Sequence, residues 1–134
     1  MKSTRHLNLN KAISSAFQKV ASDFADKNAE IISEPRQWGD GFGTTHRKNG
    51  EVVSGGNRNI VDLANLKDSQ KLTYPDALKA SLEWDGGGET PVSSVYFGYS
   101  TKSGRIPGRP WVEVAKSEFD FADAFSSAFK NELN

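Results

Sequence analysis

Two closely spaced prolines near the C-terminus constrain this chain more than any other feature of its sequence. Pro107 and Pro110 lie in the segment Gly104-Arg105-Ile106-Pro107-Gly108-Arg109-Pro110-Trp111. Each proline fixes its own φ and disfavours the α region for the residue before it. The sequence therefore predicts that the chain arrives extended and that a helix begins at or just after Pro110, with Trp111 in its first turn.

The setting of Trp111, which follows Arg105 and Arg109 closely, leaves two roles open. A buried aromatic side chain would lock the helix onto its own domain. Tryptophan is also enriched among the residues that dominate the energetics of interfaces, so Trp111 could instead anchor a contact between subunits. The sequence does not decide between them.

The size and charge of the chain narrow the classes of protein it can represent. With 134 residues we expect one domain, 1–134, with a hydrophobic core and a flexible segment 1–8. Seventeen basic residues balance seventeen acidic ones, so no global charge attracts the chain to nucleic acid or to an anionic membrane. Cysteine is absent, which excludes disulfides and thiolate metal sites. No apolar run has the length of a signal peptide or a membrane span, and this predicts a soluble protein in a cytosolic setting.

Two segments have the apolar spacing of amphipathic helices. The first runs from Asn8 or Asn10, either of which can cap it, and ends before Pro35, around Asn28. The second closes the chain. The apolar residues of the two stripes are Ala12, Ile13, Ala16, Phe17, Val20, Ala21 and Phe24, and then Phe119, Ala122, Phe125, Ala128 and Phe129.

The region between the helices has the pattern of short strands and turns. Lys48-Asn49-Gly50 lies between two short runs and predicts a hairpin. The glycines of 38–43 deny that segment regular structure, although its Trp38 and Phe42 need a place to pack. Periodicity does not decide whether 60–69 is a helical turn or a strand entry. Three further segments are predicted as the main strands: Leu72–Tyr74, Leu78–Trp84 and Val92–Tyr99.

This order of elements predicts an α+β fold. We expect an antiparallel sheet of about four strands, with a long N-terminal helix and a C-terminal helix packed on one face.

The patterns of known enzyme sites are missing from the sequence. No nucleophile elbow, Walker A sequence or dinucleotide-binding glycine pattern occurs. His46 has no second histidine or cysteine at ligand spacing, so we expect no metal. The acidic pairs Glu83 with Asp85 and Glu118 with Asp120 have the spacing of ordinary solvated charges, and a hydrolase that uses such a pair stays a formal alternative. We expect no catalytic residue and no cofactor.

One basic and aromatic segment gives a further alternative. Lys102, Arg105 and Arg109 lie near Tyr99 and Trp111, and cations interleaved with aromatic rings can bind a phosphate backbone. Acidic residues follow closely, and the chain as a whole is neutral. A nucleic-acid-binding module is therefore the second hypothesis for this segment, and a contact between subunits is the first.

Two separated motifs resemble those of a known family. Residues 58–69, from Arg58 through Val61-Asp62 to Leu66 and Ser69, resemble the segment Arg-x-x-Val-Asp-Thr-Gly-x-Leu-x-x-Ser of tail-completion and head-tail joining proteins of tailed bacteriophages. The segment from Ile106 to Trp111 is similar to the Pro-x-Arg-Pro-Phe motif of the same proteins and of the virion morphogenesis family typified by phage Mu. Leu63-Ala64 replaces the usual Thr-Gly, and Trp111 replaces the commoner Phe.

The resemblance implies a small α+β virion protein of the neck or tail, which assembles in the host cytoplasm as a ring, most often a hexamer. Such a ring, in a tail terminator or head-tail joining role, would contact the connector and neck proteins and the tail tube or sheath. DNA would only pass through it, and no membrane is involved. Arg58 and Arg109 are expected to fix the fold or the register through carbonyls or a carboxylate, with Asp62 as a plausible partner. The residues predicted to lie at the interface are Trp38, Phe42, Arg58, Asp62, Arg105, Ile106, Arg109 and Trp111.

Overall fold

The structure is a computed structural model that describes residues 8–39, 42–46, 50, 52–58, 65–86, 92–102 and 104–134. Within these residues the chain alternates helices with short strands, as the α+β prediction requires. The elements are α1 (Leu9–Ser33), β1 (Arg36–Gln37), β2 (Thr44–His46), β3 (Val52–Ser54), β4 (Asn57–Arg58), α2 (Asn65–Asp68), β5 (Lys71–Asp76), β6 (Lys79–Glu83), α3 (Val92–Phe97), β7 (Gly98–Thr101), β8 (Gly104–Pro107), α4 (Trp111–Glu118) and α5 (Phe121–Leu133).

Helix α1 begins as predicted and ends later than predicted. The side chain of Asn8 accepts a hydrogen bond from the backbone N–H of Lys11 at 3.1 Å and so caps the first turn. The helix continues past Asn28 to Ser33 because Ile31 and Ile32 are fully buried in the core. It stops before Pro35, since a proline disfavours the helical conformation of the residue before it.

The strands do not form the expected sheet of about four strands. In the part of the chain that the structure describes, they pair as four separate two-stranded antiparallel sheets, β1 with β4, β2 with β3, β5 with β6 and β7 with β8. Three of these pairs are hairpins between consecutive strands, and the β2–β3 pair lies where the Asn-Gly hairpin was predicted, with 47–49 outside the described residues. The strands are short, and β1 reaches β4 across the intervening β2–β3 pair.

The segment predicted as the strand Val92–Tyr99 is mostly helical. Helix α3 covers Val92–Phe97, and strand β7 starts only at Gly98, whose φ of +84° turns the chain. Val92, Val95 and Tyr96 have helical spacing and pack against the core. The β-branched and aromatic residues of this segment have strand propensity, and packing of one helical face overrides it.

The end of the chain contains two helices instead of one. Helix α4 begins at Trp111, directly after Pro110, as predicted. At Phe119 the backbone becomes extended, and the Asp120 side chain then accepts from the N–H of Asp123 at 2.9 Å to cap α5. The break lets the Phe119 ring lie 5.5 Å from that of Phe24 on α1.

The core consists of two clusters, both against α1. The larger contains the buried side chains Ile31, Ile32, Leu66, Trp111 and Ala115. In the smaller, α5 packs along α1 through Ala16, Val20 and Ala128, so the C-terminal helix covers another helix and not the face of a sheet. None of the helices in the described ranges is long and apolar enough to cross a membrane.

Candidate functional site

The proline junction joins a strand to a helix through a close backbone crossing. Strand β8 pairs with β7, and the N–H of Arg109 then donates to the carbonyl of Val95 at 2.8 Å. A Cβ atom at Gly98 would lie 2.5 Å from the carbonyl oxygen of Ile106, and one at Gly108 would lie 2.6 Å from the carbonyl carbon of Phe97. The two backbones can therefore touch only because neither residue carries a side chain.

Trp111 lies in the core of its own subunit, where it is 1% exposed. Its ring meets the rings of Trp84 and Tyr96 edge to face, with centroids 5.6 Å and 4.8 Å apart. Burial, together with the nearby carboxylate of Glu113, raises the pKa of the Tyr96 hydroxyl. Of the two roles left open for Trp111, the structure supports the one in which it locks α4 onto its own domain.

Four of the predicted site residues form one cluster, in which two arginines lie against the ring of Phe42 and the fourth residue binds one of these arginines. Phe42 is 6% exposed. The guanidinium carbon of Arg58 lies 5.0 Å from the centre of this ring, and that of Arg109 lies 5.8 Å from it. Both distances are within the range of cation–π attraction. The fourth member, Trp38, donates from its indole nitrogen to the carbonyl of Arg58 at 2.9 Å.

Arg58 is 4% exposed and binds backbone carbonyls of its own subunit. Its Nε donates to Gly55 at 2.7 Å, and its Nη2 donates to Gly43 at 2.8 Å. Asp62, which was expected as a partner of this guanidinium, lies outside the described residues. The cluster therefore joins the glycine-rich segment, β4 and the proline junction within one copy of the chain.

The exposed part of the site is the β7–β8 hairpin. Ile106 is half-buried and pairs with Tyr99, which is 41% exposed. Arg105 is exposed and donates from Nη2 to the carbonyl of Phe97 at 2.9 Å. Phe97, at the base of the hairpin, is 69% exposed. Strands β7 and β8 make their extensive contacts with each other and with α3, so the hairpin packs little against the other described helices and strands.

Two surfaces were not singled out from the sequence. Phe97 was assigned to a strand interior, and only the transition at Gly98 reveals that it ends a helix at the surface. A groove of about 410 Å³ also lies between α1 and α5. No local pattern predicts this groove, because it depends on how two distant helices pack. Its lining residues are Ala16, Lys19, Asp23, Asp123, Ala124, Ser127, Ala128, Asn131 and Glu132.

Glu118, one member of a predicted acidic pair, is held by two cations. Arg36 donates to it from Nη1 at 2.9 Å and from Nη2 at 3.3 Å, and the Lys27 ammonium lies 3.2 Å away. The hydrogen bond from Arg36, followed by that from Lys27, lowers the pKa of the Glu118 carboxyl. A carboxyl group that acts as a general acid needs a raised pKa, whereas the pKa of Glu118 is lowered, so its environment does not favour that role. No cluster of side chains suited to a metal ion occurs among the described residues.

The residues of the nucleic-acid alternative do not share an exposed surface. Arg105 and Tyr99 are exposed on the hairpin, whereas Trp111 is buried and Arg109 packs against Phe42. The arrangement leaves two exposed cations on the hairpin, Lys102 and Arg105, which is a small area for tracking a phosphate backbone.

Comparison with known proteins adds no relative from which a function could be transferred. No protein-family model matches the chain, and neither a curated protein nor a solved structure has significant similarity to it.

Proposed function

We propose that this chain is a structural protein of a tailed-bacteriophage virion that forms a ring at the neck or at the head-proximal end of the tail. The ring, a hexamer in this proposal, completes the tail and joins it to the head connector. Its other contacts are with the neck proteins and with the tail tube or sheath, and DNA passes through it as cargo. The protein catalyses no reaction.

The observation that carries the proposal is the convergence of the two motifs on one side chain. Arg58 belongs to the first motif and Arg109 to the second, and both guanidinium groups lie against the ring of Phe42. The shared contact gives the two motifs one structural role, since it holds the proline junction against Phe42 and β4.

A second feature favours assembly over an isolated role. Phe97, at the end of α3, and Tyr99, on β7, are large side chains that are exposed two residues apart. Aromatic residues are enriched at the centres of protein interfaces, where burial of their rings supplies much of the affinity. A neighbouring subunit would cover them, and a contact between two different surfaces closes a ring when its rotation allows.

Two measurements test this function. The mass of the purified protein in solution and electron microscopy of the same sample are expected to reveal closed rings. Cryo-electron microscopy of an intact particle is expected to place the chain between the connector and the tail. A protein that stays monomeric and never enters tails or necks under any assembly condition would refute the proposal.

A further inference from the structure

We infer that the β7–β8 hairpin of one copy docks into the groove between α1 and α5 of the next copy. This inference rests on the proposed ring and identifies the two surfaces that would meet in it. The occupant of the groove is a second copy of this chain.

The hairpin presents an exposed surface of positive charge. Its charged residues are Lys102 at the tip and Arg105 on β8, both exposed, and the sequence 98–107 contains no acidic residue. The hydrogen bond from Arg105 to the carbonyl of Phe97 brings its guanidinium back to the base of the hairpin. The two positive charges thus lie towards opposite ends of the hairpin, Lys102 at its tip and the Arg105 guanidinium near its base.

The groove is a negative surface with an apolar floor. Small side chains of both helices line it, namely Ala16 on α1 and Ala124 and Ala128 on α5. Asp123 and Glu132, both exposed, lie at opposite ends of α5. Nine residues separate them, which is a rise of about 13.5 Å and half a turn about the axis, so one carboxylate lies on each edge of the α5 surface that lines the groove. The remaining charges of the lining, Lys19 and Asp23, form an ion pair at 2.7 Å and neutralise each other.

The two surfaces therefore carry opposite charges. In the docked arrangement the two cations of the hairpin face the two carboxylates of the groove, and the Tyr99 ring has a floor of small apolar side chains to cover. Pairing hairpin with hairpin, or groove with groove, would bring like charges together, which disfavours those partners. The contact is consequently head-to-tail, the kind that generates rings.

Charge reversal tests the contact directly. One variant carries Lys102→Glu and Arg105→Glu, and the other carries Asp123→Lys and Glu132→Lys. Each alone presents two surfaces of the same sign and is expected to sediment as a monomer. An equimolar mixture restores opposite signs at every contact and is expected to recover the wild-type assembly. The wild-type assembly itself is expected to weaken as salt rises, since exposed charges are screened.

A matched control separates the site from the change in net charge. Lys71→Glu with Lys79→Glu makes the same change on the β5–β6 hairpin, where both lysines are exposed. This variant is expected to assemble like the wild type, and circular dichroism should be unchanged in all variants.

Cross-linking supplies an independent readout, because the chain contains no cysteine. Tyr99→Cys mixed with Ser127→Cys is expected to give a disulfide-linked heterodimer on mild oxidation. The same experiment with Tyr74→Cys in place of Tyr99→Cys is the control and should give little of it.

The outcomes distinguish this inference from the proposed function. Rings that persist in both charge-reversed variants, without the Tyr99–Ser127 cross-link, would overturn the docking mode and leave the ring proposal intact. A wild-type protein that is monomeric in isolation and gives no cross-link would also overturn the docking mode, and the position of the chain in the particle would still decide its function.

Discussion

Phe42 is the residue at which three separate parts of the chain meet. Its ring is contacted by the guanidinium groups of Arg58 and Arg109, from β4 and from the proline junction. Arg58 in turn accepts through its carbonyl from Trp38 and donates to the carbonyl of Gly43. The Phe42 ring thus links β4 to the proline junction.

Replacing Phe42 by leucine isolates the contribution of the aromatic ring. Leucine keeps most of the apolar volume but has no π-face, so both cation–π contacts are lost. We expect the free energy of unfolding to fall by about 1–2 kcal/mol, measured by urea denaturation. The control is Phe97→Leu, at an exposed phenylalanine, which should change it by less than about 0.5 kcal/mol. Equal urea midpoints for the two variants would contradict this account.

The sequence identified most of these residues without revealing what each one does. Trp38, Phe42, Arg58 and Arg109 were all selected as interface residues, and they meet in space, but inside one subunit. Whether an aromatic or a guanidinium lies inside or between copies depends on which distant segments cover it, and no local pattern contains that information. Trp111 illustrates the point, since its proline-rich setting is the same in either case.

At the level of helices and strands, covalent and capping rules gave reliable predictions where they applied. Asn8 caps α1, Pro35 follows its end, and α4 starts directly after Pro110. Propensity failed for Val92–Phe97, where strand-forming residues form a helix because Val92, Val95 and Tyr96 pack on the core. The break between α4 and α5 was missed because the apolar pattern continues across it.

The start of α5 depends on a single side-chain cap. Asp120 accepts from the backbone N–H of Asp123, and Asp120→Ala removes this bond. We expect the variant to lose about 1 kcal/mol of stability, because an N–H of the first turn loses its partner. Asp120→Asn retains an acceptor and should lose much less. Thermal unfolding of the two variants makes the comparison, and equal losses in both would show that the charge, not the cap, matters.

The ion cluster around Glu118 links α1, β1 and the end of α4, and it predicts a dependence of stability on pH. Because the folded protein lowers the pKa of Glu118, its contribution is present above the ordinary carboxyl pKa of about 4.3 and is lost as pH falls through the folded value. The same contacts raise the pKa of Lys27, so the contribution is also lost at high pH as that ammonium deprotonates.

Glu118→Gln removes the titrating group from this cluster. The difference in unfolding free energy between wild type and variant should be a few tenths of a kcal/mol at neutral pH, since the groups are partly exposed. It should shrink towards pH 3 as the wild-type carboxylate is protonated. Urea denaturation at a series of pH values measures it, and a difference independent of pH in the acid range would contradict the assignment.

For the whole molecule, the α+β class was predictable and the arrangement of the sheets was not. Strand pairing is a non-local property, and the strand-forming runs of this sequence could have joined into a single sheet. Within the described residues they instead form four separate pairs, and α1 contributes residues to both core clusters. The groove between α1 and α5 is likewise a product of helix packing, so its surface could not be identified in advance.

Helix α1 packs in the core and the β7–β8 hairpin does not, so we expect the backbone amides of the two regions to exchange with solvent at different rates. In the unassembled protein, amides of β7 and β8 should exchange with solvent faster than those in the buried half of α1, because the hairpin has few contacts with the core. Assembly should slow the hairpin amides selectively. Hydrogen exchange followed by mass spectrometry tests both statements, and a hairpin as protected as α1 in the monomer would refute the first.

The glycine crossing at the base of the hairpin has a consequence for how this protein can diverge. Gly98 and Gly108 bring two segments of the main chain into direct contact, and this contact holds the start of β7 against the residues that follow β8. Apolar residues of the interior can therefore be exchanged over many generations without a change at this contact. A side chain at either glycine would push the two segments apart and so alter the orientation of the hairpin.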